Sequence, residues 1–144
     1  MVVLDRGVEI ASYPVSTSKY GIGDRAGSYR TPAGWMKIRR KIGANVPAGG
    51  VLKSQRFTGE VLAVDAPGRD PVVTRILWLD GLEPGNRHAY ARNIYIHGTP
   101  EERNIGRPAS YGCIRMRSRD VIELYDLVGV GARVKVVESL PPGL

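Results

Sequence analysis

The apolar positions of the chain fall into short segments separated by glycine and proline, a pattern typical of a β-rich domain. Residues 1–4 and 8–13 flank Asp5, Arg6 and Gly7, and they predict a hairpin whose three-residue loop uses the positive φ of Gly7. The β-branched and aromatic run at 72–79 is the strongest strand candidate. Further strands are predicted at 35–39, 60–64, 93–96 and 133–137.

One segment, residues 118–128, has the periodicity of a helix. Ser118 is predicted as its N-cap, and Gly129 follows its last turn as a stop signal. Its apolar residues form one stripe: Val121, Ile122, Leu124, Tyr125 and Val128. The whole pattern therefore predicts a mostly β domain with one late α-helix.

Composition narrows the possible classes of protein. The 144 residues, 42% of them apolar, fit one compact domain with a real core. A single cysteine excludes an intramolecular disulfide, and with two histidines it is poor material for a zinc site. We therefore expect no metal and no cofactor. The longest apolar runs have four residues, against the roughly 20 needed to cross a bilayer, so no transmembrane segment is expected.

The net charge of +7 comes from 21 basic and 14 acidic residues. The basic residues are spread along the chain, with the densest stretches at 37–41 and 115–119. A nucleic-acid module would show a clustered basic face or a recognisable motif, so we expect no nucleic-acid partner. A non-catalytic basic β-domain that binds anionic ligands stays open as an alternative.

The chemistry-bearing residues lie in two short motifs, IHGT at 96–99 and SYGCIRM at 110–116. An imidazole such as that of His97 can activate the Cys113 thiol by taking its proton. Gly112 permits a sharp turn on which backbone N–H groups converge as donors to an oxyanion. Arg115, Arg117 and Arg119 would add positive potential, together with the nearby helix N-terminus. These residue types suffice for thiol acyl transfer, although a buried structural cysteine and a structural histidine fit them as well.

The two motifs, extended to IYIHGT at 94–99 and IGRPASYGCIRM at 105–116, resemble the signature of the L,D-transpeptidase (YkuD) catalytic domain family. Segments at 13–19, 27–32, 41–43 and 74–79 also resemble family segments, in the family's order. The resemblance implies a β-sandwich or barrel-like catalytic domain over residues 1–138, with the cysteine at the base of a cleft. Residues 139–144 would be a short C-terminal tail.

The resemblance implies a role for each motif residue. Cys113 would be the nucleophile, and His97 its general base and later general acid. Gly98 would shape the turn that presents the imidazole. The backbone N–H groups around Tyr111, Gly112 and Cys113 would form the oxyanion hole.

Three further residues are implied in substrate binding. Arg115 would orient the loop or a substrate carboxylate, and Ser110 and Tyr95 would line the site. One position departs from the commonest family pattern, because Tyr111 stands where a second histidine usually precedes the Gly-Cys pair. Tyrosine is a weak base at neutral pH, so proton transfer concentrates on His97.

The reaction implied by the resemblance is acyl transfer on peptidoglycan stem tetrapeptides. A thioester acyl-enzyme forms, D-alanine leaves, and an amine acceptor gives a cross-link or a D-amino acid exchange. With water as acceptor, the same intermediate would make the protein an L,D-carboxypeptidase of wall recycling. The family resemblance implies the periplasm or cell envelope. A cytoplasmic location is expected if the chain is full length, because no signal peptide is visible.

Overall fold

The computed structural model describes residues 1–140, which are mostly β, as predicted. Within this range there are nine strands and one α-helix. The strands are β1 (Val2–Asp5), β2 (Val8–Ser12), β3 (Gly34–Ile42), β4 (Gly50–Lys53), β5 (Arg56–Val61), β6 (Val73–Gly81), β7 (Tyr95–Gly98), β8 (Ile114–Met116) and β9 (Arg133–Val136); the helix is α1 (Ser118–Leu127).

The larger sheet is organised around β6. Its strands follow the order β5-β4-β6-β3-β9, and β7 also pairs with β6 and carries β8 on its other side. β6 is antiparallel to β3 and to β7, whereas β7 and β8 are parallel. β1 and β2 form a separate two-stranded sheet, and within the described residues neither sheet closes on itself.

Both faces of β6 are covered, so all of its residues from Val73 to Leu79 are buried. Leu77 and Leu79 point into a cluster that contains Val121 and Leu124 of α1, and the β1–β2 hairpin packs against the same cluster. Ile76, on the opposite face, belongs to a second cluster with Trp78, Tyr95 and Leu52. Cys113 packs against this second cluster, so the candidate nucleophile lies on the sheet face away from the helix.

The hairpin loop is shorter than predicted. Asp5 pairs with Val8, so the loop consists of Arg6 and Gly7 alone, both with positive φ (52° and 78°). Positive φ at both central residues is the geometry of a type I′ turn, whose twist matches that of the flanking strands.

The strand predicted at 60–64 is wrong in its bounds. The chain is in β5 over Arg56–Val61, and every residue of this strand is exposed. β5 is an edge strand that pairs only with β4 in the sheet order, so it lacks the alternation of buried and exposed residues by which a strand is recognised.

The start of α1 also differs from the prediction, because Arg117 occupies the cap position and Ser118 is the first helical residue. The Ser118 N–H donates to Glu102 Oε2 at 3.1 Å, and its hydroxyl bonds to the Thr74 hydroxyl at 2.7 Å. A carboxylate from a distant segment therefore satisfies this helix end, where a local side chain was expected.

Of the predicted tail, residues 141–144 lie outside the described range. Among residues 1–140, the helix is neither long enough nor apolar enough to cross a membrane.

Candidate active site

Cys113 immediately precedes β8, and the parallel pairing of β7 with β8 determines what lies beside it. The register places His97 beside Arg115 and, continued two residues back, Tyr95 beside Cys113. Because side chains alternate along strands, these four point to one face of the sheet. His97 and Cys113 are thus diagonal neighbours on adjacent segments of the sheet.

The Cys113 thiol has two hydrogen-bond partners. The Tyr95 N–H donates to Sγ at 3.3 Å, and the thiol donates to the Asn93 carbonyl oxygen at 3.3 Å. Asn93 has a φ of 56°, in the left-handed region that asparagine tolerates better than most residues. Cys113 is half-buried, and its sulfur is held between one backbone donor and one backbone acceptor.

Burial raises the pKa of Cys113 above its ordinary value of 9.0. Three opposing influences lower that pKa: the Tyr95 N–H and the positive charges of Arg115 and Arg92. Burial outweighs these three influences, so the pKa stays above its ordinary value and the resting cysteine is a neutral thiol at neutral pH.

His97 is 5% exposed, and its Nδ1 lies 2.6 Å from the Gly98 carbonyl oxygen. A carbonyl oxygen only accepts, so Nδ1 carries the ring proton and Nε2 has the lone pair. The pKa of His97 is lowered from 6.5 to about 4, mainly by burial and to a smaller extent by the charge of Arg115, against the opposing effect of this hydrogen bond. The imidazole is therefore neutral at neutral pH and can accept a proton.

The loop that carries Cys113 is fastened by buried hydroxyl groups. The Ser110 hydroxyl donates to the Cys113 carbonyl at 2.5 Å and accepts from the Gly112 N–H at 3.2 Å. The Thr31 hydroxyl donates to the Gly112 carbonyl at 2.9 Å. The structure thus directs the Ser110 side chain into the loop, and the Gly112 N–H, one of the predicted oxyanion donors, toward Ser110.

Two glycines of the motifs leave no room for a side chain. Gly112 has a φ of 126°, and a Cβ there would lie 3.2 Å from the Arg30 carbonyl oxygen. Gly98 lies at the end of β7, where a Cβ would lie 2.7 Å from the Val73 carbonyl oxygen of β6. Gly98 thus keeps the strand that carries His97 close to the centre of the sheet.

Arg115 is 7% exposed and is held by two carboxylates. Its Nη2 lies 2.8 Å from Asp70 Oδ2, and its Nη1 lies 3.7 Å from Glu101 Oε2. The Thr99 hydroxyl donates to the other oxygen of Asp70 at 2.9 Å. The guanidinium is fixed beneath the loop by this network, while its charge still lowers the pKa of Cys113 and of His97.

The other two arginines of the predicted positive cluster lie elsewhere. Arg119 is 3.8 Å from the Asp120 carboxylate, and Arg117 lines a surface recess with Tyr13 and Glu123 beside α1. The cations that act on the thiol are Arg115 and Arg92, so the expectation for Arg117 and Arg119 was wrong.

Sequence reasoning missed Arg92. Its Nη2 donates to the Arg30 carbonyl at 2.7 Å and its Nη1 to the Gly23 carbonyl at 3.3 Å. Arg92 also lies close to the cysteine loop, because a Cβ on Gly112 would be 3.5 Å from its Nη2. Arg92 thus connects the segment that contains Gly23 and Arg30 with the cysteine loop. In the sequence, Arg92 is one of many scattered arginines, and its only signal is its place just before the strand that carries His97.

Aromatic rings form one wall of the site. The Tyr95 ring meets Trp78 edge to face at 5.3 Å and lies 6.5 Å from the His97 ring. Trp78 stacks on Tyr90 at 4.4 Å, and the Gln55 amide donates to the Tyr95 hydroxyl at 2.7 Å. This wall keeps water from one side of the imidazole. Among residues 1–140, no group of three His, Cys, Asp or Glu side chains is arranged to hold a metal.

Comparison with known proteins identifies close sequence relatives. The sequence profile of the YkuD family, the L,D-transpeptidase catalytic domain, matches residues 1–136. The probable L,D-transpeptidase YbiS of Escherichia coli is 33% identical over 114 residues, which are 76% of this chain and 34% of that protein. The putative L,D-transpeptidase YkuD of Bacillus licheniformis is 51% identical over 41 residues, 28% of this chain and 25% of that protein. The chain thus spans about a third or less of these relatives.

Solved structures share the fold at low sequence identity. L,D-transpeptidase 3 from Mycobacterium tuberculosis, in complex with a faropenem-derived adduct, superposes with a TM-score of 0.58 and 21% identity, covering 95% of this chain and 55% of that one. An L,D-transpeptidase from Xylanimonas cellulosilytica gives a TM-score of 0.57 at 18% identity, covering 94% of this chain and 54% of that one. With the profile match over nearly the whole chain, these similarities establish that the chain belongs to the L,D-transpeptidase catalytic domain (YkuD) family.

Proposed function

We propose that this chain catalyses acyl transfer from peptidoglycan stem tetrapeptides, with Cys113 as nucleophile and His97 as general base. The observation that carries the proposal is the position of the cysteine diagonally across from a buried, neutral imidazole, on the same face of the sheet. A neutral imidazole can take the thiol proton as the sulfur attacks, so a preformed thiolate is not required. We further propose that residues 1–138 are the catalytic domain.

The first half-reaction transfers the acyl group to the enzyme. The thiol leaves the Asn93 carbonyl and gives its proton to His97 Nε2, while Sγ bonds to the carbonyl carbon of the third stem residue. The backbone N–H groups of Tyr111 and Cys113 hold the oxyanion of the tetrahedral intermediate, while that of Gly112 donates to the Ser110 hydroxyl. The intermediate collapses with cleavage of the C–N bond, and the departing D-alanine amine takes the proton from His97. A thioester on Cys113 remains.

The second half-reaction resolves the thioester. An amine of a second stem peptide, or a free D-amino acid, attacks the thioester carbonyl and passes a proton to His97. The C–S bond then breaks, and the sulfur takes the proton back to restore the thiol. Because the amine acceptor belongs to the growing wall, we place this reaction in the cell envelope. With water as acceptor, the same steps release a tripeptide, which is the L,D-carboxypeptidase alternative.

Incubation with a disaccharide-tetrapeptide, with and without an amine acceptor, followed by mass spectrometry of the products, tests this proposal. A cross-linked or exchanged product identifies a transpeptidase, and tripeptide alone identifies a carboxypeptidase. Cys113→Ala and His97→Ala each abolish D-alanine release, whereas Tyr111→Phe, which loses only a half-exposed hydroxyl, retains most of it. Absence of any product from the wild-type protein would favour a non-catalytic ligand-binding domain.

A further inference from the structure

Three half-exposed tyrosines lie in mutual contact next to the cysteine loop, and we call them the tyrosine patch: Tyr20, Tyr29 and Tyr111. Their exposed fractions are 48%, 57% and 54%. The ring centroids are 6.2 Å apart for Tyr20 and Tyr29, 6.2 Å for Tyr20 and Tyr111, and 5.9 Å for Tyr29 and Tyr111. A contiguous group of exposed aromatic rings is characteristic of a surface that binds a ligand.

The patch is linked to the cysteine loop through Thr31, one of the buried hydroxyl groups that fasten that loop. Ser18 is 2% exposed; its hydroxyl donates to the Tyr29 carbonyl and accepts from the Tyr20 N–H at 2.9 Å. The Ser18 N–H donates to the Thr31 hydroxyl at 2.9 Å, and that hydroxyl donates to the Gly112 carbonyl. The backbones of Tyr20 and Tyr29 are therefore linked to the loop that carries the candidate nucleophile, and Tyr111 belongs to that loop itself.

Lys19 adds a positive charge at the edge of the patch. Its Nζ lies 4.6 Å from the Tyr111 ring centroid and 5.3 Å from that of Tyr20, and it donates to the Tyr111 hydroxyl at 3.3 Å. The rings thus already have an ammonium group over them. A cationic amine acceptor would be repelled here, whereas a neutral ring with hydroxyl groups would not.

The distance from the nucleophile suits one part of the donor substrate. Tyr111 is two residues from Cys113, so their backbones are at most about 7 Å apart. In the proposed reaction, the attacked carbonyl belongs to the third stem residue, so two residues separate that residue from the sugar that carries the stem. An extended dipeptide also spans about 7 Å. The sugar of a bound donor can therefore reach the patch.

We infer that the tyrosine patch binds the sugar that carries the donor stem peptide, an inference that rests on the proposed function. A pyranose ring has an apolar C–H face that packs on aromatic rings, and its hydroxyl and acetamide groups hydrogen-bond to the tyrosine hydroxyls and to Lys19. The site would then recognise the substrate at two points, the scissile bond at Cys113 and the glycan at the patch.

The test compares kcat/KM for D-alanine release from a disaccharide-tetrapeptide and from the free tetrapeptide. The wild-type protein favours the disaccharide form. The double variant Tyr20→Ala/Tyr29→Gly lowers that preference about tenfold, as expected for two lost aromatic contacts, and leaves the free tetrapeptide rate unchanged. Tyr29 has a φ of 58°, which glycine adopts without strain, so this variant removes the ring without disturbing the backbone.

Trp35→Ala is the matched control, because Trp35 is also a half-exposed aromatic residue (40%) beside a lysine, with Lys135 Nζ 5.4 Å from its ring centroid. It leaves the substrate preference at the wild-type value. An unchanged preference in the double variant, or an equal loss on both substrates, overturns the inference. A loss confined to transfer onto the amine acceptor would assign the patch to the acceptor and also overturn it.

A binding measurement separates this inference from the proposed function. The wall disaccharide without peptide is titrated into the Cys113→Ala protein and followed by NMR. Shifts of the patch tyrosine ring signals support the inference even if the wild-type protein releases no D-alanine, in which case only the proposed reaction fails. No shift at the patch overturns the inference, whatever the turnover.

Discussion

At the scale of single residues, the candidate site has two neutral reacting groups. Burial raises the pKa of Cys113 and lowers that of His97 to about 4, so both changes oppose a thiolate–imidazolium pair at rest. Negative charge therefore develops on the sulfur only when it attacks. The positive charges of Arg115 and Arg92 stabilise that negative charge. The pH dependence and the charge dependence of the reaction follow from this arrangement.

The acid limb of the pH–rate profile should follow His97. Because its pKa is about 4, kcat/KM for D-alanine release is constant through mildly acidic pH and falls only as pH drops toward 4. The measurement is kcat/KM against pH on a tetrapeptide donor, with the protein's folded fraction monitored at each pH. An acid midpoint near 6.5, the ordinary value for histidine, would contradict this account.

Arg92 should lower the pKa of the thiol through its charge. Arg92→Gln removes that charge, so the rate of Cys113 alkylation by iodoacetamide rises only at higher pH than in the wild-type protein. Arg92→Lys keeps the charge and should restore much of the profile.

Arg69→Gln is the matched control for Arg92, since Arg69 pairs with Glu60 at 2.7 Å on the exposed surface. It is expected to leave the alkylation profile unchanged. If Arg92→Gln also gave the wild-type profile, the proposed effect of Arg92 on Cys113 would be refuted.

At the scale of elements, the paired strands β7 and β8 determine which side chains meet. Gly98 is the position at which this pairing is least tolerant, since a Cβ would lie 2.7 Å from the Val73 carbonyl oxygen and 3.1 Å from Thr74 Cβ. Gly98→Ala should therefore push β7 away from β6, lower the free energy of unfolding by about 1–3 kcal/mol and reduce activity through displacement of His97.

Denaturant unfolding and kcat measure the two effects of Gly98→Ala. Gly85→Ala is the control, because a Cβ at Gly85 meets nothing within 4 Å. A Gly98→Ala protein with wild-type stability and activity would show that β7 and β6 can separate at no cost.

How much the sequence predicts depends on how local each feature is. The late helix and the β6 strand were predicted to within one or two residues at each end, because their apolar patterns are complete within one segment. β8 was missed because three residues, two of them apolar around Arg115, are too few to show a period. β4 was missed as well, and it is only four residues long.

The same dependence on local sequence holds for the candidate site. The two motifs predicted that Cys113 and His97 belong to one active site, and the register of β7 and β8 is consistent with that prediction. The carboxylate of Asp70 on Arg115, the hydroxyl of Thr31 on Gly112 and the charge of Arg92 come from distant segments. Their partners are set by tertiary packing, so no local pattern marks them.

At the scale of the whole molecule, the two faces of the larger sheet carry different parts of the protein, the main core on one and the candidate site on the other. One face packs against α1 and the β1–β2 hairpin, while the other carries Cys113 and its aromatic wall. His97, which is buried on the second face, nevertheless affects the stability of the whole fold, because its protonation lowers the free energy of unfolding.

The stability of the protein should fall as pH falls from about 6.5 toward 4. The unfolded chain protonates His97 near 6.5 and the folded chain only near 4, so the unfolded state binds more protons in this window. The stability contributed by neutral His97 is complete above 6.5, and up to about 3 kcal/mol is lost as pH falls to 4.

Denaturant unfolding at several pH values measures this slope. His97→Asn should flatten it, because asparagine does not titrate in this range. An equal slope in the His97→Asn protein would mean that other groups determine the acid sensitivity.

The most direct test of the central claim, that Cys113 becomes acylated with the help of His97, is the intact mass of the protein after exposure to a carbapenem. A β-lactam is a suitable probe because its strained amide is opened by a cysteine nucleophile to give a stable thioester. We predict one adduct in the wild-type protein, located on Cys113 by peptide mapping, slower formation in His97→Ala and none in Cys113→Ala. A wild-type protein that stays unmodified, or an adduct that persists in Cys113→Ala, would contradict the account.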